Sequence, residues 1–177
     1  MTTTLTRFLR HVTLMLGAVV LLGGCAGYRV GPVIPQRMEG VKTVAVPTFE
    51  NKTLLPRLEV LAAGTVIKQI QQDGTYKVVG EGEADVILEG VITDVRRSGV
   101  RSVRGNIYAS REYELTLTFS YTVTRRVTGE ELDSGSVRGV TSFFVSGNDV
   151  NQDERQAIPL ALEDAAVQLV SRISEGW

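Results

Sequence analysis

A lone thiol and a run of arginines carry most of the chemistry available to this sequence of 177 residues. Cys25 is the only cysteine and His11 the only histidine. One thiol excludes an intrachain disulfide and a cysteine-rich zinc site. Arg96, Arg97, Arg101, Arg104 and Arg111 fall within sixteen residues, and no Asp or Glu lies between Val95 and Arg111. Guanidinium forks bind phosphate and carboxylate bidentately, so this run reads as a local anion site. The competing reading is a solubilising loop that protects a sheet edge. Gly99, Gly105 and Asn106 favour an exposed, mobile loop between two strands. Other chemistry is thin. Glu81 with Glu83, and Glu130 with Glu131, sit beside turn residues and read as solvated charge rather than an acid–base pair. The glycine-containing stretch Gly80-Glu81-Gly82-Glu83 would repel phosphate through its glutamates. No catalytic residue and no metal ligand is assigned.

The surroundings of Cys25 explain the thiol. Arg7, Arg10 and His11 make a basic start without an acidic residue, and residues 12–22 form an apolar run. That run is too short to cross a ~30 Å hydrocarbon core comfortably and matches the hydrophobic region of a signal peptide. Leu22-Gly23-Gly24-Cys25 follows, which resembles a bacterial lipobox. Residues 1–24 are therefore expected to be a signal peptide, with cleavage before Cys25 and lipid, palmitate among its chains, attached there. A short transmembrane anchor is the competing reading. Ala26 stands where an aspartate would resemble an inner-membrane retention signal, which favours the outer membrane, with the body on the periplasmic side. Loss of the leader removes His11 and with it any histidine-based triad. The remaining 153 residues carry 17 basic and 20 acidic side chains, a net charge of −3. That balance gives no electrostatic reason to expect nucleic acid.

The elements that must position these residues can be read in order. With 43% hydrophobic and 22% charged residues the chain is an ordinary folding sequence, long enough to bury its own core. Residues 25–40, with Gly27, Gly31, Pro32, Pro35 and Gly40, are a lipidated N-terminus and linker. A domain over 41–177 follows. Val41–Val46 reads as a strand. An amphipathic helix begins near Leu54, capped by Asn51 or Thr53, and carries Leu54, Leu58, Leu61, Ala62, Thr65, Val66 and Ile70 to its end at Asp73-Gly74. Tyr76–Val79 and Ala84–Arg96 are strands, the second apolar on both faces. Residues 113–124 alternate strictly, with Tyr113, Leu115, Leu117, Phe119, Tyr121 and Val123 on the buried side. Thr128-Gly129 turns the chain back into 131–145. A last helix through Ile158–Ile173 has Glu163, Asp164, Gln168, Ser171 and Arg172 on its wet face and Asn151 or Asp153 as a cap. Pro159 either starts it or kinks a longer one. The order predicts an α+β two-layer sandwich, with two helices packed on one face of a mainly antiparallel sheet.

In this order the motifs resemble the LptE family of lipopolysaccharide-assembly lipoproteins. The matching pieces are Cys25 with Gly27-Tyr28 and Gly31, Val44-Ala45-Val46-Pro47 leading to Phe49-Glu50-Asn51-Lys52-Thr53, Ala84–Ile92, Tyr113–Leu117 and the final helix. The resemblance implies two helices on a sheet of four or more strands. It implies a partner, the outer-membrane β-barrel LptD, whose lumen the lipoprotein plugs, and it implies binding of lipopolysaccharide. The region associated with that binding falls on Arg96, Arg97, Arg101 and Arg104. Pro159 departs from the family's smoother last helix. Penicillin-binding-protein activators and curli-secretion lipoproteins share the Val-Ala-Val strand and the Phe-x-Asn-x-Thr turn. They imply a periplasmic protein partner instead.

Cys25→Ser removes the only sulfur that can accept lipid, so the variant should leave the membrane fraction. Mass spectrometry of the wild-type N-terminus should find an acylated Cys25; an unmodified N-terminus, or one elsewhere, contradicts the anchor.

Overall fold

The period-two pattern of residues 113–123 organises the molecule. In the computed structural model, which describes residues 34–101, 111–145 and 150–176, this pattern lies in the middle of three long strands. Cys25, the expected signal peptide and most of the linker lie outside the described residues. The strands are β1 (Thr43–Ala45), β2 (Glu50–Asn51), β3 (Lys77–Val78), β4 (Val86–Arg101), β5 (Arg111–Arg125) and β6 (Glu131–Val145). Helix α1 (Leu58–Asp73) precedes β3, and α2 (Val150–Glu175) follows β6. The sheet order is β3-β1-β4-β5-β6, with β2 pairing on β4. The three long strands are antiparallel to one another, whereas β1 and β2 run parallel to their neighbours. Both helices cover one face of this open, mixed sheet, so the α+β expectation holds.

Alternation decides that face. Leu115, Leu117, Phe119, Tyr121 and Val123 are buried beneath the helices, while Thr116, Thr118, Ser120, Thr122 and Thr124 are half-exposed on the other side. At about 3.4 Å per residue, fifteen residues make a strand of roughly 50 Å. Two glycines set the packing distance. A Cβ on Gly90 would fall 2.3 Å from the Phe49 ring, which lies edge-on to Phe119 with centroids 5.4 Å apart. A Cβ on Gly139 would fall 1.7 Å from the carbonyl oxygen of Ala161, so α2 presses its backbone directly onto β6.

β6 ends the sheet, and an edge strand exposes unpaired backbone groups. Here α2 supplies the missing partners. Asp164 accepts from the Val140 N–H at 2.9 Å, Gln168 donates to the Arg138 carbonyl at 2.8 Å, and Arg172 donates to the Ser136 carbonyl at 3.0 Å. Four helical residues advance about 6 Å and two strand residues about 6.7 Å, so the two series stay in step. Asp164, Gln168 and Arg172 are thus edge caps and not simply a solvated face.

Several expected boundaries move. α1 starts at Leu58 rather than near Leu54, because Pro56 disfavours helical backbone at Leu55. Asn51 and Thr53 do not cap it. Asn51 Oδ1 accepts from the Thr53 N–H and hydroxyl, and its Nδ2 donates to the Leu55 carbonyl and to Glu59. This side chain holds the turn closed, and Leu54 is left fully exposed. The cap position is Arg57, with φ of 66° and no side-chain bond, whereas Gly74 closes the helix with φ of 78° as its sequence suggests. α2 starts at Val150, so Pro159 lies inside it and Asn151 and Asp153 are helical residues rather than caps.

Buried polar groups are paired. The Tyr76 hydroxyl, pushed up to about 12 by burial and by Asp73, donates to the Ile173 carbonyl at 2.6 Å. The Tyr121 hydroxyl, raised by burial and by its acidic neighbour, donates to Asp133, which also meets Arg37 at 3.5 Å. At the start of β4, Asp85 accepts from the Lys42 and Thr43 N–H groups, each at 2.9 Å. Those bonds, with the Thr43 hydroxyl, hold its carboxyl below the usual range. What Asp85 contributes is therefore present above the ordinary carboxylate pKa and is lost as pH falls through the lowered one.

The glycines give a test of opposite sign. Gly139→Ala must push a backbone carbonyl aside and should destabilise by about 3 kcal/mol or prevent folding. Gly64→Ala, in α1 with nothing within 4 Å of the new atom, should stabilise by about 0.5–1 kcal/mol. Urea melts of the two variants check both signs.

Candidate anion-binding site

The arginine run is not a loop where it can be followed. β4 continues through Arg101 and β5 begins at Arg111, so Arg96, Arg97 and Arg101 belong to a strand. Ser98 and Gly99 carry little strand preference of their own. Cross-strand pairing with Glu112–Glu114 extends them. Arg104 lies outside the described residues, as does the side chain of Arg101, whose backbone pairs with Glu112.

A bulge separates the two neighbouring arginines functionally. Ile92 pairs with Phe119 and Asp94 with Thr118, leaving Thr93 as the extra residue. The Thr93 hydroxyl donates to the Thr118 carbonyl at 3.1 Å. Before the bulge the even-numbered Val86, Leu88 and Ile92 face the helices. After it the odd-numbered positions do, with Val95 opposite Leu117 and Arg97 opposite Leu115. Arg96 therefore stands on the open face, its side chain 80% exposed and 2.7 Å from Asp94. Arg97 stands on the helix side and forms an ion pair with Glu154 of α2. Its guanidinium lies 5.7 Å from the Tyr113 ring centroid, and Tyr113 stacks on Phe143 at 5.7 Å. The chain Glu154–Arg97–Tyr113–Phe143 thus joins α2 to all three long strands. The expected single cluster of Arg96, Arg97, Arg101 and Arg104 is split between two faces, and both described guanidiniums already have a carboxylate partner.

Glu154 could not be found from spacing, since it meets Arg97 only after three reversals of the chain. The carboxylates read as solvated charge are so placed: Glu81 and Glu83 are exposed in a 3₁₀ turn, and Glu130 and Glu131 are exposed at the β5–β6 hairpin. Among the described residues no cluster of histidine, cysteine and carboxylate side chains could hold a metal ion. Among them, too, no helix is long and apolar enough to cross a membrane.

Comparison with known proteins agrees with this architecture. The family whose model matches is described as LptE: Lipopolysaccharide-assembly, over residues 41–173. No curated protein matches the chain in sequence. Among solved structures, the PelC dodecamer from Paraburkholderia phytofirmans is 12% identical, with a TM-score of 0.50 over 82% of this chain and 94% of that one. A minor lipoprotein from Acinetobacter baumannii is 15% identical, with a TM-score of 0.50 over 76% of this chain and 93% of that one. At such identities these two share the fold alone.

A double-mutant cycle separates the two arginine pairs. Arg97→Ala with Glu154→Ala should show coupling of about 1 kcal/mol in urea denaturation, since Glu154 is only 18% exposed. Arg96→Ala with Asp94→Ala should show close to zero, as exposed pairs do.

Proposed function

This chain belongs to the LptE lipopolysaccharide-assembly family, and from that membership we propose an outer-membrane lipoprotein that plugs an LptD-type β-barrel and binds lipopolysaccharide on its way to the outer leaflet. The observation that carries the reading is the extent of the family match, which runs from before β1 almost to the end of α2. It favours this function over the penicillin-binding-protein activator and curli-secretion alternatives. Cys25 provides the anchor: a thioether-linked diacylglycerol and an N-acyl chain together hold a protein stably where a single chain does not. No cofactor beyond that lipid is needed.

Within this reading the arginines divide their work. Lipopolysaccharide presents phosphates close to acyl chains, and guanidinium forks suit those phosphates. Arg96 is exposed, and its contact with Asp94 is of the weak surface kind that a phosphate can replace. Arg101 and Arg104 lie further along the same connection between β4 and β5. Arg97 holds α2 through Glu154, so its contribution to binding requires that pair to open.

Replacing Arg96, Arg101 and Arg104 together by glutamine should weaken lipopolysaccharide binding at least tenfold while circular dichroism stays native. Binding of the wild type should also fall as salt rises, because exposed charges are screened within about 8 Å at physiological ionic strength. Affinity purification from detergent-solubilised outer membrane should return a β-barrel with either protein. Recovery of a peptidoglycan synthase in its place, or unchanged lipopolysaccharide binding, contradicts the reading.

A further inference from the structure

A second surface, on the helix side of the sheet, has the makings of a lipid site. Where the start of α1 faces the first half of α2, a groove of about 590 Å³ opens, within the range of about 300–1,000 Å³ usual for small-molecule sites. Its apolar lining includes Leu55, Leu58, Leu61 and Ile158. Leu58 and Ile158 are buried and form the floor, whereas Leu61 is 41% exposed. Arg57 and Arg155 also line it and are exposed. Among the described residues neither forms an ion pair, and the groove's one other charged group, Glu154, is bound to Arg97.

We propose that this groove holds one acyl chain of an anionic amphiphile, with Arg57 and Arg155 meeting the phosphate at its head. Charge selects this occupant. Two guanidiniums that form no ion pair among the described residues, set beside an apolar trough, complement a chain that ends in an anion, and repel cationic peptides. The committed source is the phosphorylated glycolipid cargo, so the inference rests on the function proposed above while assigning it a site separate from the strand arginines. The arrangement also links the two surfaces, since Glu154 borders the groove and holds Arg97.

The test uses dodecyl phosphate carrying a terminal diazirine, photolysed with the full-length lipidated protein in nanodiscs, with crosslinks mapped by mass spectrometry. Labels should concentrate on peptides containing Leu55–Leu61 and Ile158, and excess lipopolysaccharide should compete them away. Leu61→Glu, at a half-open position that tolerates charge, should cut labelling at least fivefold, as should Arg57→Glu with Arg155→Glu. The same chain with a neutral hydroxyl head should label at least fivefold less. Labels spread over the surface, equal labelling by the alcohol, or insensitivity to Leu61→Glu overturns the proposal. So does a concentration-dependent dimer that excludes the probe, or a tenfold rise in labelling of the full chain carrying Cys25→Ser, which would make the occupant the protein's own anchor. Absent groove labelling with lipopolysaccharide binding retained rejects the groove alone. Lipopolysaccharide binding unmoved by the strand-arginine variant rejects the earlier reading and leaves the labelling result standing.

Discussion

The missing Cβ of Gly139 fixes the position of α2, and most of the architecture follows from that contact. With the Ala161 carbonyl against the strand, the helix lies close enough for Asp164, Gln168 and Arg172 to reach the β6 edge. The same placement determines the helix's other end. Glu154 is seven residues before Ala161, about 10 Å along the axis, and there it meets Arg97. Pro159 lies between these two anchorages. A proline inside a helix removes one backbone bond and costs about 3 kcal/mol. The helix nevertheless continues through it, because Ala157, Ile158, Ala161 and Leu162 are all buried and hold the turns on either side against the core.

Local pattern and long-range register divide what was legible in the sequence from what was not. The alternating face of β5, the helical spacing of Leu58, Ala62, Val66 and Ile70, and the terminating Gly74 all depend on neighbours close in sequence, and each stands as read. Leu61 matched the same helical pattern and yet is exposed, because α2 does not extend over that side of α1 at the groove. The bulge at Thr93 could not be read, since it arises from the pairing of β4 with β5. Nor could the edge caps. Asp164, Gln168 and Arg172 look like solvated residues until a strand edge lies alongside them.

That one inserted residue accounts for the sorting of charge. Without a bulge, alternation along β4 would place Arg96 beneath the helices and Arg97 on the open face. With it, the inner arginine has a carboxylate and an aromatic ring to satisfy it, while the outer one keeps its side chain in water. Arg97 keeps about a third of its side chain in solvent, 36%, and Glu154 and Tyr113 hold the rest of it against the helix side. Of the two strand arginines whose side chains are described, Arg96 is therefore the more open to an anion.

The open face of the sheet adds a constraint on the partner. Glu114, Thr116, Thr118, Ser120, Thr122 and Thr124 form a row that is neither buried nor fully exposed. Threonine suits a strand through its branched carbon, and its hydroxyl both donates and accepts hydrogen bonds. Such a face does not need an apolar layer above it, and an apolar partner would leave the hydroxyls unsatisfied. A wet interface lined by polar groups satisfies them directly or through water. The interior of a membrane β-barrel is polar in just this sense, so on the proposed reading the sheet's hydroxyl face and a barrel lumen are matched in chemistry, while the groove between the helices, on the other side of the sheet, remains available to the amphiphile.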